Sequence, residues 1–92
     1  MKYDQIGIKM YKINFSKQTI KDLVFIRREG LDKKVLQILN IIKNNPFQNP
    51  PPYEKLIGYE NRYSRRINRQ HRITYEINEN EINIIRMWTH YE

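Results

Sequence analysis

The sequence predicts an α+β domain in the order β-α-α-β-β-β: an N-terminal strand, an antiparallel hairpin of two helices, and a mainly antiparallel three-strand meander. Three observations carry that expectation. Apolar residues recur at helical spacing in two consecutive stretches before residue 45, they alternate with polar residues at strand spacing after residue 62, and all four prolines fall in the interval between.

Tyr11, Ile13 and Phe15 alternate with Lys12 and Asn14, as a strand requires, whereas Met1 to Lys9 show no clear period. The domain is therefore placed at residues 10–92, with residues 1–9 as an extension. A further strand piece, a disordered tail and a start codon assigned too far upstream all fit that extension. Ser16 is positioned as an N-cap, and Ile20, Leu23, Val24 and Arg27 follow at helical spacing up to Gly30, giving a first helix from about Lys17 to Arg28. The second starts with Asp32 as its cap and runs to about Asn44, before Pro46, with Val35, Ile38, Leu39 and Ile42 on one face. Both apolar stripes are read as core, packed on the oily side of the sheet.

Pro46, Pro50, Pro51 and Pro52 make Asn45 to Lys55 an ordered or semi-rigid loop, because proline supplies no backbone N–H to a helix or a central strand. Leu56, Ile57 and Tyr59 lead on as a loop or short strand. Arg62 to Ile77 then reads as a β-hairpin. Tyr63 and Ile67 lie on the oily face of its first arm and Ile73, Tyr75 and Ile77 on that of the second; Arg62, Ser64, Arg66 and Asn68, and Arg72, Thr74 and Glu76, form the polar face. The two oily faces coincide only for an odd-length loop. Taken as Arg69-Gln70-His71, that loop sets Asn68 opposite Arg72. A turn at Glu79-Asn80 sets Ile82 beside Ile77 and Ile84 beside Tyr75. The last strand spans about Glu81 to Trp88. Ile85 and Met87 break its alternation, which suggests a central strand covered on both sides.

The 92 residues suffice for one core. Seventeen Lys and Arg against ten Asp and Glu give a net charge of +7, which favours an acidic partner, nucleic acid among them. With no cysteine and two histidines, neither a disulfide scaffold nor a His/Cys zinc site is expected, and no metal or cofactor is implied. No stretch has the length of a membrane span or the apolar run of a signal peptide, so a soluble, cytoplasmic protein is expected.

Four polar features exceed what a core requires: Glu54 after the prolines, Arg66 and Arg72 on the hairpin, and His90-Tyr91. Metal-independent RNA cleavage needs a base to take the 2′-OH proton, cations to stabilise the phosphorane and an acid to protonate the departing 5′-oxygen. A carboxylate, guanidinium groups and an imidazole fit those tasks. Each residue also has a plainer fate. A lone Glu is commonly a solvated loop acid, Arg72 has Glu76 within reach, and residues 90 and 91 fit an exposed tail. On the pairing above, His90 has the parity of the oily face, so the tail has to leave the ladder after Trp88 to reach the arginines.

Taken together, Asn-Pro-Phe (45–47), Tyr-Glu-Lys-Leu (53–56), Tyr-Ser-Arg-Arg-Ile (63–67), His-Arg-Ile-Thr-Tyr (71–75) and His-Tyr (90–91) resemble the YoeB-like branch of the RelE superfamily. These are toxins of bacterial toxin–antitoxin pairs that cut messenger RNA on the ribosome. The likeness runs from about Met10 to Tyr91. It implies a RelE-like microbial RNase fold with Glu54 as general base, Arg72 as the transition-state arginine, His90 as general acid and Tyr91 arranging the substrate. It also implies that Arg66 contacts phosphate, with Arg65 and Lys55 beside the site as further RNA contacts. The sequence departs from the family pattern at Ile57, where a lysine is common, and at Glu92, which follows the usual terminal tyrosine. The implied partners are the ribosome and mRNA, an acidic antitoxin of the YefM or Axe kind folding over the Arg66 and Arg72 face, and, as an alternative assembly, a second copy of the chain. A ParE-like gyrase poison, which needs no Glu54 and His90 together, and a non-catalytic RNA-binding module, for which the arginines suffice, are the competing functions.

Overall fold

The structure, a computed structural model, describes residues 10–88. The extension 1–9 and the tail carrying His90 and Tyr91 lie outside the described residues. In chain order come β1 (Lys12–Phe15), α1 (Lys17–Arg28), α2 (Asp32–Asn44), β2 (Glu54–Lys55), β3 (Arg62–Arg66), β4 (Arg72–Asn78) and β5 (Glu81–Arg86). The strands form one mixed sheet in the order β1-β5-β4-β3-β2, in which β1 runs parallel to β5 and the remaining pairs are antiparallel. The expected α+β architecture is present, extended by β2 as a second edge strand. No helix among the described residues is long and apolar enough to cross a membrane.

Helix α1 begins where Ser16 and Thr19 cap each other. The Thr19 N–H donates to Ser16 Oγ at 3.1 Å, and the Ser16 N–H donates to Thr19 Oγ1 at 2.7 Å. It ends at Glu29, with Gly30 at φ +71°, a left-handed conformation that glycine adopts without penalty. Helix α2 corrects one detail. Leu31 occupies the cap position without a side-chain bond, and Asp32 is the first helical residue, where its charge complements the helix dipole.

The α2 stripe is core, with Val35, Ile38 and Ile42 buried and Leu39 partly buried. The α1 stripe is core only at Leu23, which packs partly buried against it. Thr19, Asp22 and Ile26 face inward, while Ile20 is 56% and Val24 49% exposed. The helix is rotated because Asp22 is buried against β5. Its carboxylate accepts from Arg86 Nε at 3.0 Å, Arg86 Nη2 at 3.3 Å, the Met87 N–H at 3.0 Å and Gln18 Nε2 at 3.1 Å. A set of charge-assisted bonds to a buried carboxylate outweighs the burial of two aliphatic side chains.

In the hairpin, Arg62 pairs with Glu76, Tyr63 with Tyr75, Ser64 with Thr74 and Arg66 with Arg72. The face assignments hold, but the register differs by two residues. Arg66, not Asn68, stands opposite Arg72, because the Ile67 N–H bonds the His71 carbonyl at 2.8 Å and Asn68 Oδ1 accepts from the Gln70 and His71 N–H groups inside the loop. The next turn follows its expected pairing, with Ile77 opposite Ile82 and Tyr75 opposite Ile84. Beyond it, Thr74 faces Arg86. One extra residue, Ile85, is thus accommodated on β5 as a β-bulge. The bulge, and not two-sided cover, explains the broken alternation, since Met87 is fully buried in the same core as Ile82 and Ile84.

Candidate active site

The helices and the apolar core occupy one side of the sheet; Arg62, Ser64, Arg66, Arg72, Thr74 and Glu76 share the other. The edge strand β2 adds to this polar face. Glu54 pairs with Ser64 on β3, so its side chain stands on the same side. Arg72 Nη1 donates to Glu54 Oε1 at 2.9 Å and approaches Ser64 Oγ at 3.4 Å, covering the buried Ser64 hydroxyl. The carboxylate remains 68% exposed and the arginine 31%. Arg66, directly across from Arg72, is exposed, with Nη1 3.5 Å from the Arg69 carbonyl oxygen. Two residues that are 18 apart in sequence thus form an accessible acid–base and cationic pair, with a second guanidinium alongside.

Strand β2 exists because of a residue whose expected place was wrong. Arg65, expected beside Arg66 as an RNA contact, is 1% exposed and points to the other side of the sheet. Its parity is that of Tyr63 and Ile67, and its guanidinium is consumed by the proline loop. Nη1 donates to the Pro51 carbonyl at 2.7 Å, Nη2 to those of Pro46 at 3.0 Å and Gln48 at 2.8 Å, and Nε to the Tyr75 hydroxyl at 3.1 Å. The cation also lies 5.1 Å from the Tyr53 ring centroid, an attractive placement. Tyr75 in turn donates to the Pro46 carbonyl at 3.0 Å. Burial raises the pKa of its hydroxyl above the ordinary value against the opposing pull of Arg65, so it stays a neutral donor. Arg65 therefore holds the loop that delivers Glu54 and cannot contact phosphate from this position. Lys55 is a second correction. It pairs with Tyr63, which puts its side chain on the side of the sheet opposite Glu54 and Arg72.

The root of the C-terminal tail is also fixed, by residues the sequence did not single out for this. Asp22 ties Arg86 and Met87 to α1, and burial, which would raise its pKa, is outweighed by these bonds and the Arg86 charge, so its carboxyl lies below the usual value. His71, buried on the hairpin loop, stacks on Trp88 at 3.8 Å between centroids, its Nδ1 bonded to the Trp88 carbonyl, while Phe25 stacks on the same indole at 5.3 Å. A polar residue spaced between Thr19 and Ile26 on one helical face was the available signal for Asp22. His90 and Tyr91, expected to complete the site, lie outside the described residues.

Comparison with known proteins agrees with this architecture. Residues 15–91 match the model of a family described as the YoeB-like toxin of bacterial type II toxin–antitoxin systems. Among solved structures, the chain is similar to the YoeB dimer from Staphylococcus aureus, with 31% identity, TM-score 0.77, and coverage of 89% of this chain and 99% of the other. A chain of the YoeB–YefM complex from the same organism is 32% identical, with TM-score 0.73 over 88% of this chain and 98% of the other. A YoeB/ParE toxin from Agrobacterium tumefaciens is 25% identical, with TM-score 0.77 over 87% and 99%. No curated protein matches the sequence.

Proposed function

The chain belongs to the YoeB-like toxin family of bacterial type II toxin–antitoxin systems, and from that premise we propose that it is a ribosome-dependent endoribonuclease that cuts messenger RNA without a metal ion. The observation that carries this reading is the Glu54–Arg72 pair at 2.9 Å on the open face of the sheet, with Arg66 across the ladder. Cleavage by the RNA's own 2′-OH requires these groups close together. Glu54 takes the 2′-OH proton as the oxygen attacks the adjacent phosphorus. Arg72 moves from the carboxylate to the phosphorane oxygens, and Arg66 holds a neighbouring phosphate through its fork of donors. His90 protonates the departing 5′-oxygen, with Tyr91 arranging the substrate, so the products are a 2′,3′-cyclic phosphate and a 5′-hydroxyl.

The antitoxin partner follows from the same premise. YoeB of S. aureus is seen both as a dimer and with YefM. For this chain, with a net charge of +7, an acidic YefM-like antitoxin laid over Arg66 and Arg72 is the complementary partner, and a homodimer is the second assembly. A gyrase-poisoning function, suggested by the ParE half of the Agrobacterium protein's name, leaves the Glu54–Arg72 pair without a task.

The test is single-turnover cleavage of ribosome-bound message by Glu54→Gln and His90→Gln. Each keeps size and polarity while removing the base or the titrating acid, and each is expected to slow cutting by roughly 10²-fold or more with ribosome binding unchanged. Wild-type rates for both variants would leave the arginine face as a binding surface without catalysis.

A further inference from the structure

The turn between β2 and β3 leaves an aromatic ring exposed at the end of the polar face. Tyr59 is 50% exposed, yet its position is defined. Its N–H bonds the Leu56 carbonyl at 3.4 Å, and Gly58 at φ +92° provides the left-handed step that brings the ring back over β3. There Arg62 lies with its guanidinium carbon 4.4 Å from the ring centroid. Arg62 is itself held, its Nε donating to Glu76 Oε2 across the ladder at 3.3 Å. Arg62 supports the ring, so a face of Tyr59 is presented to solvent on a fixed base.

This platform stands close to the candidate site. Arg62 and Ser64 are successive side chains on the polar face of β3, about 7 Å apart along the strand, and Ser64 is the residue beneath Arg72 and opposite Glu54. The other described tyrosines near the site serve the interior: Tyr53, Tyr63 and Tyr75 form edge-to-face and tilted contacts with one another beside Phe47. Tyr59 belongs to none of these contacts.

We propose that Tyr59, backed by Arg62, is a stacking platform for one unpaired nucleobase of the RNA strand whose phosphate lies at Arg66 and Arg72. A nucleobase suits it because it offers a planar π face, which stacks on an aromatic ring irrespective of sequence, while the arginine behind adds a cation–π contribution and the electrostatic pull on the strand. Stacking one base turns it away from its neighbours and fixes the backbone between the platform and Glu54. Tyr59 is a positioning residue in this scheme: it orients the substrate without touching the reacting atoms.

The inference rests on the RNA reading of the face, and its test separates the two. The full-length chain is titrated with a short single-stranded RNA and with the same backbone carrying an abasic site at each position in turn. Wild-type protein and Tyr59→Trp are expected to bind the base-bearing strand about 5- to 10-fold more tightly than the abasic strand that lacks the stacked base. Tyr59→Leu, similar in apolar bulk but without a π face, is expected to lose that preference while keeping its salt-dependent affinity for the backbone. Indole emission from Tyr59→Trp should change on binding the intact strand and stay constant on binding the matching abasic one. Equal discrimination by Tyr59→Leu and wild type overturns the platform alone. Absence of any RNA binding by the wild-type chain, both to the free strand and to ribosome-bound message, overturns both the platform and the RNA reading.

Discussion

Replacing Arg65 by methionine tests whether the proline loop is held by a single buried guanidinium. The substitution keeps most of the apolar stem and removes four hydrogen bonds, to the Pro46, Gln48 and Pro51 carbonyls and the Tyr75 hydroxyl. The losses are unequal. Gln48 is exposed and Pro51 half-buried, so their carbonyls can recruit water, and Pro46 keeps the bond from Tyr75. The fully buried Tyr75 oxygen loses its donor and the loop loses its common anchor. Removing the charge also relieves its desolvation, which returns part of the loss. With buried groups left unsatisfied at about 1–3 kcal/mol each, a net destabilisation of about 3 kcal/mol is expected. That is a large share of the roughly 5–10 kcal/mol available to a domain of this size. In equilibrium urea unfolding, with a slope of about 1.3 kcal/mol per molar, the midpoint should fall by about 2 M. Arg65→Lys should fall nearly as far, since one ammonium cannot serve carbonyls on opposite sides of a planar fork. Arg66→Met should leave the midpoint unchanged and weaken binding to single-stranded RNA. If Arg65→Met unfolds within about 0.5 kcal/mol of wild type and loses RNA affinity, the guanidinium is not a clamp and the reasoning fails.

Two further outcomes follow from α1. Asp22→Asn should cost about 2 kcal/mol at neutral pH, because the Arg86 bonds lose their charge. The Asp22 carboxyl is held below its ordinary value of 3.8, so its contribution to stability is complete above that value and is lost as pH falls through the lower, folded one. Thermal unfolding from pH 7 to pH 3 should therefore show a shallower acid decline in the variant, and parallel curves would contradict the assignment. Ile20→Gln, on the exposed side of the helix, should change stability by about 0.5 kcal/mol or less. Ile26→Ala, fully buried, should cost about 2–5 kcal/mol in the same denaturant experiment, and similar costs at the two positions would show that the helix is rotated otherwise.

The parts legible in the sequence were those set by short-range geometry. The Glu79-Asn80 turn leaves one register compatible with Ile77, Ile82, Tyr75 and Ile84 on one side, and Ser16 and Gly30 mark the limits of α1. The Glu54–Arg72 contact was approached through residue type and chain order, since nothing local indicates that the two meet. What was not legible had a physical source. Strand parity already put Arg65 with Tyr63 and Ile67, but a guanidinium on an oily face is expected only once the loop carbonyls that satisfy it are known. Ile20 and Val24 outweighed Thr19 and Asp22 as a pattern because the partner of Asp22 lies 64 residues away. The bulge at Ile85 looked like a strand covered on both sides, since an added residue and a two-sided strand disturb alternation alike.

The parallel pairing of β1 with β5 bears on when the protein can fold. Asn14 and Asn83 bond side chain to side chain across 69 residues, and among the described residues β1 has no other strand neighbour in the sheet. Closing so long a loop is slow and costs entropy before any contact repays it. During synthesis, α1 and α2 can form locally as they emerge, but β1 waits for β5, and Asp22 waits for Arg86 and Met87. The chain therefore reaches its finished form only after its own coding message has been read through β5. An antitoxin of the proposed kind, if present during synthesis, would meet it first as a partly closed sheet.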